Sequence, residues 1–246
     1  MNIRRWGPVI LLLIVWGTAT SLGLFSPLLL PSPKSVLQLA LSSSQWKAVG
    51  HDLGASCLRL VIGFALGSGT GLAIGVGMGR SRKVYEAFEF LVDFFRSIPV
   101  AALFPLFIIF FGIGDSSKIA TTAWSTALIV IVNTMYGVRS CSRTREEFAK
   151  TLGANRIQIL KTVVFPEALP SILAGLRTGL SIALIVVIMT EMFLGTPSGL
   201  GQRIFNAALL YNTADLYFAI GLTGLIGYAL NQGFVQFESH LLRWRT

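Results

Sequence analysis

Apolar residues in this chain occur in long continuous blocks, at about residues 7–25, 56–79, 97–113, 118–138, 168–194 and 216–237. A block of about 20 residues is long enough to cross the hydrocarbon core of a bilayer as a helix. The third block is short and contains Pro99 and Pro105. The pattern predicts an all-α polytopic membrane protein with about six transmembrane helices, and residues 1–246 are expected to form a single membrane domain.

The second block contains five glycines at four-residue spacing, namely Gly63, Gly67, Gly71, Gly75 and Gly79. Positions four apart lie on nearly the same face of a helix, with a drift of about 40° per step. Glycine lets two helix backbones approach closely inside a membrane. The glycines therefore predict close helix packing, with some sliding of helices superimposed. A phosphate-binding loop is excluded, because neither a preceding strand nor a Gly-Lys-Ser/Thr ending is present.

The segments around the first block predict how it is connected. Arg4 and Arg5 precede it as in a signal peptide, but no small-x-small cleavage site follows, so an uncleaved first helix is expected. Prolines at positions 27, 31 and 33 predict an extended external connector after it. Residues 35–55 are partly polar and are expected to lie along the outer surface.

The charge distribution predicts the orientation of the chain. Only 13% of the residues are charged and 53% are hydrophobic, with a mean hydropathy of +0.70. The net charge of +9 does not indicate nucleic acid, because no aromatic residues are interleaved with the basic ones. Basic residues concentrate in alternate connecting segments, which is the pattern of cytoplasmic loops. Both termini and residues 139–167 are therefore predicted to be cytoplasmic. The concentrated basic residues are Arg4, Arg5, Arg80, Arg82, Lys83, Arg96, Arg139, Arg143, Arg145, Lys150, Arg156, Lys161, Arg243 and Arg245.

The sequence shows no pattern typical of catalysis or metal binding. Cys57 and Cys141 are predicted near opposite membrane faces, so no disulfide between them is expected, and their spacing suits no metal site. His51 and His240 are also predicted on opposite sides, and no zinc-protease motif is present. The chain is therefore not expected to be an enzyme or to hold a metal or cofactor.

The polar loop 139–167 contains signals for a first short helix. Thr144 and Glu147 have the spacing of a capping box, with Thr144 as the N-cap. Glu146 and Lys150 are four residues apart and are expected to pair on the exposed side. The loop therefore predicts a helix that begins near Thr144.

The same loop predicts a corner and a second helix. Phe148 and Leu152 form a small apolar face, and Gly153 can adopt the left-handed conformation that ends a helix. Asn155 can cap the second helix. That helix is expected to present Ile157, Leu160 and Val164 and to end near Pro166 and Pro170.

The segment from Glu147 to Pro166 resembles the EAA loop of ABC-importer permeases. The family pattern is Glu-Ala-Ala, three residues, Gly, nine residues, Ile, one residue, then Leu-Pro. Residues 147–149, Gly153, Val163 and residues 165–166 occupy those positions, with apolar replacements at Phe148, Val163 and Phe165. Residues 96–99, 111–119, 133–137, 175–177, 190–192 and 199–201 look like permeases of the nitrate, sulfonate, taurine and bicarbonate branch.

The resemblance implies a type I ABC-importer permease fold in a bacterial inner membrane. It implies two ABC ATPase subunits that receive the cytoplasmic loop and bind ATP and Mg²⁺, and a periplasmic or lipid-anchored binding protein. It also implies a second permease, most simply another copy in a homodimer, with a different paired permease as the alternative. The chain has no Walker A sequence, so the energy has to come from those ATPases. The residues implied in ATPase coupling are Glu146, Glu147, Phe148, Ala149, Leu152, Gly153, Ala154 and Asn155.

The branch resemblance also implies a cargo that is a small oxyanion such as nitrate or bicarbonate, or a sulfonate such as taurine. The cargo would move into the cytoplasm by alternating access. Polar residues in or beside apolar blocks are the candidates for its path, although each also has a structural interpretation. An ion-gradient-driven secondary transporter is the alternative. It would show broken helices or charges near mid-membrane, and only Glu191 approaches that. The path candidates are Asn133, Thr134, Arg177, Glu191 and Arg59.

Overall fold

The computed structural model describes residues 3–193 and 195–243, with all side chains except those of residues 3–6 and 44. No strand occurs in these residues. The expectation about Arg245 lies outside them, and the side chains of Arg4 and Arg5 are not described. The helices are α1 (Ile3–Ser21), α2 (Pro33–Leu41), α3 (Trp46–Arg80), α4 (Arg82–Ser97), α5 (Val100–Phe111), α6 (Asp115–Arg139), α7 (Arg143–Thr151), α8 (Arg156–Ile159), α9 (Phe165–Phe193), α10 (Leu200–Leu209) and α11 (Thr213–Leu241).

Four helical segments of the described chain are long and apolar enough to cross a membrane: α3, α6, α11 and the run Arg156–Phe193, which contains α8 and α9. The pair α4 and α5 bends by 105° and would add a fifth crossing as a broken span. The bend follows from Pro99, which disfavours the helical conformation in Ile98 before it. α1 is apolar, and its stretch Gly7–Ser21 is shorter than these four. The predicted all-α polytopic architecture is confirmed.

The expectation that residues 35–55 form one surface segment is wrong. α2 ends at Leu41, and α3 begins at Trp46 and continues to Arg80. The polar residues in its first turns suggested a surface segment. Two of them, Asp52 and Ser56, instead accept hydrogen bonds from the backbone of residues 199 and 200.

The described chain is organised in two compact units. The first contains Met1–Ser56 and Glu191–Ile226, and the second contains Cys57–Thr190 and Gly227–Thr246. The expectation of a single domain stays a prediction.

In the second unit, the five glycines of α3 face α6. A Cβ atom on Gly67 would lie 2.4 Å from the carbonyl oxygen of Ala123, and one on Gly75 would lie 2.7 Å from that of Ile131. Such distances leave no room for any side chain, so glycine is required for this approach. The partners advance together along both helices, which therefore run in the same direction. The pairs are Gly63 with Thr122, Gly67 with Thr126, Gly71 with Val130, Gly75 with Thr134 and Gly79 with Val138.

α6 makes a second close approach, to α9. A Cβ atom on Gly137 would lie 2.7 Å from Cβ of Ser171, and one on Gly175 would lie 2.5 Å from Cβ of Asn133. Here the partners advance in opposite directions, so α6 and α9 are antiparallel. α6 is thus held on two sides, which explains why its hydroxyl side chains are buried. Several of them satisfy their hydrogen bonding within the helix, as Thr122 does by donating to the carbonyl of Lys118 at 2.8 Å.

The expected end of the second loop helix near Pro166 and Pro170 is wrong. Between α8 and α9 the chain makes a π-helical turn at Leu160–Val164, in which the Phe165 N–H donates to the Leu160 carbonyl. The helical path therefore continues through both prolines to Phe193. Proline lacks an N–H and normally interrupts a helix, and a π-helical turn is one of the local adjustments that accommodates such an interruption.

Candidate functional site

The first helix of the loop 139–167, α7, begins before the predicted residue. Its N-cap is Ser142, whose side chain makes no capping hydrogen bond, although its carbonyl accepts from the Glu146 N–H at 3.2 Å. Thr144 therefore lies inside the first turn, and the predicted capping box of Thr144 with Glu147 is wrong. Ser142 and Thr144 are both residue types that favour the N-cap position, so capping propensity alone does not decide between them.

The corner after α7 has the predicted left-handed glycine. Gly153 has φ of +83°. Its N–H donates to the Lys150 carbonyl at 2.9 Å, and the Ala154 N–H donates to the Ala149 carbonyl at 3.1 Å. These two bonds form a Schellman motif, which satisfies the last carbonyls of a helix.

The second helix begins with the predicted cap. The Asn155 Oδ1 accepts from the backbone N–H of Ile157 at 3.0 Å and of Gln158 at 2.9 Å. The Gln158 Oε1 accepts from the Asn155 N–H at 2.7 Å, which completes a capping box. Backbone bonds at Gly153 and side-chain bonds at Asn155 therefore fix the angle between α7 and α8.

The two glutamates of α7 have different surroundings. Both carboxylate oxygens of Glu146 accept from Arg80 Nη1 at 2.8 Å, so the expected pair with Lys150 is wrong. Arg80 ends α3, and this contact between distant parts of the chain outcompetes the local one. Glu147 is exposed and has no ion-pair partner among the described residues. Its charge is therefore available to another molecule.

Large apolar side chains on this corner remain uncovered. Phe148 is 65% exposed, Leu152 73% and Ile157 65%. Phe148 and Leu152 border a groove of about 620 Å³, whose lining also includes Val163 and Pro166. We call Glu147, Phe148 and Leu152, which the resemblance implies in ATPase coupling, the coupling surface. Ala149 and Ala154 instead pack inward against a core that includes Val138, Ile159 and Val164.

A polar contact ties the start of this loop to α9. Cys141 is buried, and its Sγ donates to Glu167 Oε2 at 3.0 Å. Arg145 Nη1 lies 3.4 Å from the other oxygen of Glu167. Burial, followed by the contact with Glu167, raises the pKa of the Cys141 thiol from 9.0 to about 12. The thiol is therefore expected to stay protonated at neutral pH.

In a Cys57→Ala protein, we expect Cys141 to resist alkylation by iodoacetamide at pH 7.5. A pKa raised from 9.0 to about 12 leaves roughly a thousandfold less thiolate, and the thiolate is the nucleophile. Glu167→Gln removes the carboxylate and should increase the labelling rate measured by mass spectrometry. Fast labelling of Cys141 with Glu167 present, in protein that is still folded, would contradict this account.

Two residues predicted on the substrate path are packed between helices. Asn133 faces Gly175 of α9 and donates from Nδ2 to the Ile129 carbonyl at 2.9 Å. Thr134 is fully buried against Gly75, and its hydroxyl has no hydrogen-bond partner among the described residues. Their assignment to a path stays a prediction.

The two predicted arginines of the path have acidic or amide partners. Arg59 is 3% exposed, and its Nε lies 2.8 Å from Asp115 Oδ1, at the first residue of α6. Arg177 donates from Nε to Asn231 Oδ1 at 2.9 Å, and its Nη1 lies 3.9 Å from Glu238. The Arg177 side chain nevertheless remains 45% exposed.

Glu191 is fully buried in the first unit and binds the backbone of the first turn of α10. Its carboxylate accepts from Ser56 Oγ at 2.8 and 2.9 Å and from the Gly201 N–H at 2.9 Å. Ser56 Oγ in turn accepts from the Leu200 N–H at 2.9 Å. Gly199 has φ of +139°, and a Cβ atom there would lie 2.5 Å from Glu191 Cδ. Glu191 therefore holds a backbone corner in place.

Sequence reasoning missed the arginine that organises this unit. Arg203 Nη2 donates to Asp215 Oδ1 and to Gln45 Oε1, both at 2.7 Å, and Nη1 lies 3.6 Å from Asp52. The side chain is only 12% exposed. Arg203 lies apart from the concentrated basic residues, which was the available signal in the sequence. Its partners Gln45 and Asp52 are distant in sequence, so the cluster could not be predicted.

Comparison with known proteins gives consistent results. The profile of the family described as "binding-protein-dependent transport system inner membrane component" matches residues 67–236. The chain is 33% identical to the putative aliphatic sulfonates transport permease protein of Escherichia coli, covering 99% of this chain and 92% of that protein. It is 32% identical to the taurine transport system permease protein of the same organism, with 97% and 88% covered. It is 34% identical to the riboflavin transport system permease protein of Chloroflexus aurantiacus, with the same coverage.

Solved structures resemble the fold of this chain at lower identity. An inward-facing methionine ABC transporter matches with a TM-score of 0.70 at 20% identity, covering 81% of this chain and 99% of the other. A bacterial alginate ABC transporter, solved in complex with a pentasaccharide-bound periplasmic protein, matches with a TM-score of 0.66 at 16% identity, covering 100% and 97%.

Proposed function

We propose that this chain, which belongs to the family of binding-protein-dependent transport system inner-membrane components, moves small organic sulfonates through the membrane. The chain is a permease of an ATP-driven importer, a role supported by its relatives and by the fold. The family model over residues 67–236 and the relatives that align over nearly the whole chain favour this role over an ion-gradient-driven transporter. The sulfonate cargo is the part that requires a test.

The cargo proposal depends mainly on two relatives that align over nearly the whole chain. They are named for the transport of aliphatic sulfonates and taurine. Nitrate and bicarbonate have no comparable support. A riboflavin transport permease is equally similar, at 34% identity, so a neutral heterocycle is the second candidate.

Among the predicted path residues, Arg177 is the best candidate for contact with a sulfonate. Asn133 and Thr134 are packed between helices, while Arg59 and Glu191 are almost fully buried. The Arg177 guanidinium is 45% exposed and therefore still has donors available. A planar guanidinium can offer two parallel hydrogen bonds to an oxyanion.

The coupling surface is the proposed contact with the ATPase. Glu147 offers an unpaired charge, and Phe148 and Leu152 offer apolar area that this chain leaves uncovered. The capped corner at Gly153 and Asn155 holds these side chains at a fixed angle. Two ATPase subunits, each binding ATP and Mg²⁺, would move two such corners together, and that movement would open the path alternately to the two sides. The second permease copy and an external binding protein complete this proposal.

Uptake by the assembled transporter tests both the energy source and the cargo. Proteoliposomes with this chain, its ATPase and its binding protein are expected to accumulate labelled taurine when ATP is supplied inside. Removing ATP while keeping a proton gradient should abolish uptake. Uptake of labelled riboflavin but not of taurine, hexanesulfonate or isethionate would reject the sulfonate proposal and support the second candidate. Uptake driven by the proton gradient alone would reject the ATP-driven role.

A further inference from the structure

A polar cavity of about 630 Å³ lies beside α7 in the second unit. Its walls come from the end of α3, the first turns of α4, the end of α6 and the start of α7. It is separate from the groove that Phe148 and Leu152 border. Cavities of roughly 300 to 1,000 Å³ are the usual size for small-molecule sites.

Four arginines line this cavity: Arg80, Arg82, Arg139 and Arg143. Two of them bind carboxylates of the lining, since Arg80 contacts Glu146 at 2.8 Å and Arg82 contacts Glu86 at 2.7 Å. The other two have no carboxylate partner among the described residues. The third lining carboxylate, Glu89, accepts from the hydroxyl of Tyr85.

The two arginines without a carboxylate partner, Arg139 and Arg143, are the candidates for binding an anion. The Arg139 guanidinium lies 4.2 Å from the centroid of the Tyr85 ring, which holds it over an aromatic face. Arg143 is exposed at the first residue of α7. Guanidinium groups bind phosphate through paired hydrogen bonds, and several of them around one cavity make a phosphate group the best-matched ligand.

A phosphate in this cavity would directly affect the attachment of α7. Arg80 currently gives both its contacts to Glu146, which lies on α7 one residue before Glu147. A phosphate group presents charged oxygens that accept from a guanidinium as a carboxylate does, so it would compete for the same guanidinium. Binding would therefore release Glu146 and loosen the attachment of α7 to α3.

We propose that this cavity binds a phosphate group, from inorganic phosphate or an anionic lipid headgroup, and that the bound phosphate competes with Glu146 for Arg80. The bound ligand would thereby change how firmly α7 is attached to α3. By linkage, any ATPase contact that pulls α7 away from α3 would strengthen phosphate binding.

The test measures phosphate binding to the assembled transporter in lipid nanodiscs by isothermal titration. The ATPase subunits are the same in every sample, so differences between variants report on this cavity. Arg143→Gln is expected to weaken binding roughly tenfold, because one charged donor is lost. Glu146→Gln is expected to strengthen it, because the competing carboxylate is removed. Arg96→Gln is the matched control, since Arg96 is an exposed arginine of α4 that does not line the cavity.

A second arm distinguishes the two sources of phosphate. If a lipid supplies the headgroup, native mass spectrometry of wild-type protein should retain phosphatidylglycerol in preference to phosphatidylcholine. Arg143→Gln should lose that lipid, Glu146→Gln should retain more of it, and Arg96→Gln should behave as wild type.

The proposal is supported if either arm shows this pattern of three variants. It is overturned if neither arm shows binding, if Arg96→Gln weakens binding as much as Arg143→Gln, or if Glu146→Gln weakens it. Binding is measured without transport, so failure here leaves the importer role and its cargo untouched.

Discussion

Replacing Gly199 with alanine is expected to prevent this chain from folding stably. The new Cβ atom would lie 2.5 Å from Glu191 Cδ, and the backbone at φ of +139° is strained for any L side chain. Glu191 cannot move aside cheaply, because it is fully buried and accepts from Ser56 and Gly201. Backbone strain, overpacking and lost hydrogen bonds together should cost about 3–5 kcal/mol.

The matched control for this substitution lies in the same segment. Gly195 also has a positive φ, of +54°, but no atom lies within 4 Å of the position its Cβ would take. Gly195→Ala should therefore cost only about 1–2 kcal/mol, from the left-handed backbone alone. Thermal unfolding in detergent, together with the monodisperse fraction on gel filtration, measures both. Equal stability of the two variants would show that the carboxylate does not confine Gly199.

Replacing Phe148 with aspartate is expected to lower substrate-stimulated ATPase activity and uptake at least roughly tenfold, because an unpaired carboxylate would be buried at an apolar contact. The fold should survive, since Phe148 is 65% exposed in this chain and supports little of its core. The expected defect is therefore one of communication between subunits. It should appear at normal membrane abundance and with an unchanged melting temperature.

Phe148→Leu is the matched control, because it keeps an apolar side chain at the same place. It should retain most of the activity, while Asp93→Ala, which removes an exposed charge from α4, should retain all of it. Normal stimulation of the ATPase by the Phe148→Asp protein would remove the coupling surface from the proposed mechanism. Loss in all three variants would indicate a general defect instead.

Local chemistry explains which parts of the loop could be predicted. Gly153 and Asn155 act on backbone groups within five residues of themselves, so their roles are readable from the sequence. Thr144 failed as a cap because α7 starts one residue before it. Glu146 failed to pair with Lys150 because Arg80, 66 residues away, binds it instead.

The positions at which helices begin and end could not be predicted from local sequence signals either. Proline near a predicted helix end normally indicates a stop, yet the π-helical turn at Leu160–Val164 carries the chain through Pro166 and Pro170. Polar residues at the start of α3 suggested a surface segment, but their partners lie some 147 residues away, as for Asp52 and Gly199. Long apolar blocks and the glycine spacing of α3 were predictable because they depend on period and length alone.

The glycine contacts between α3 and α6 have a mechanical consequence. Five successive positions interlock from Gly63 to Gly79, over about 24 Å of helix. Sliding one helix past the other would force branched side chains such as Val130 and Val138 across backbone atoms already in contact. The two helices should therefore move as one stiff rod. At one end of this rod is the Arg80–Glu146 contact, and at the other is the Arg59–Asp115 pair. We therefore expect a displacement imposed on α7 to be transmitted along the rod to that pair.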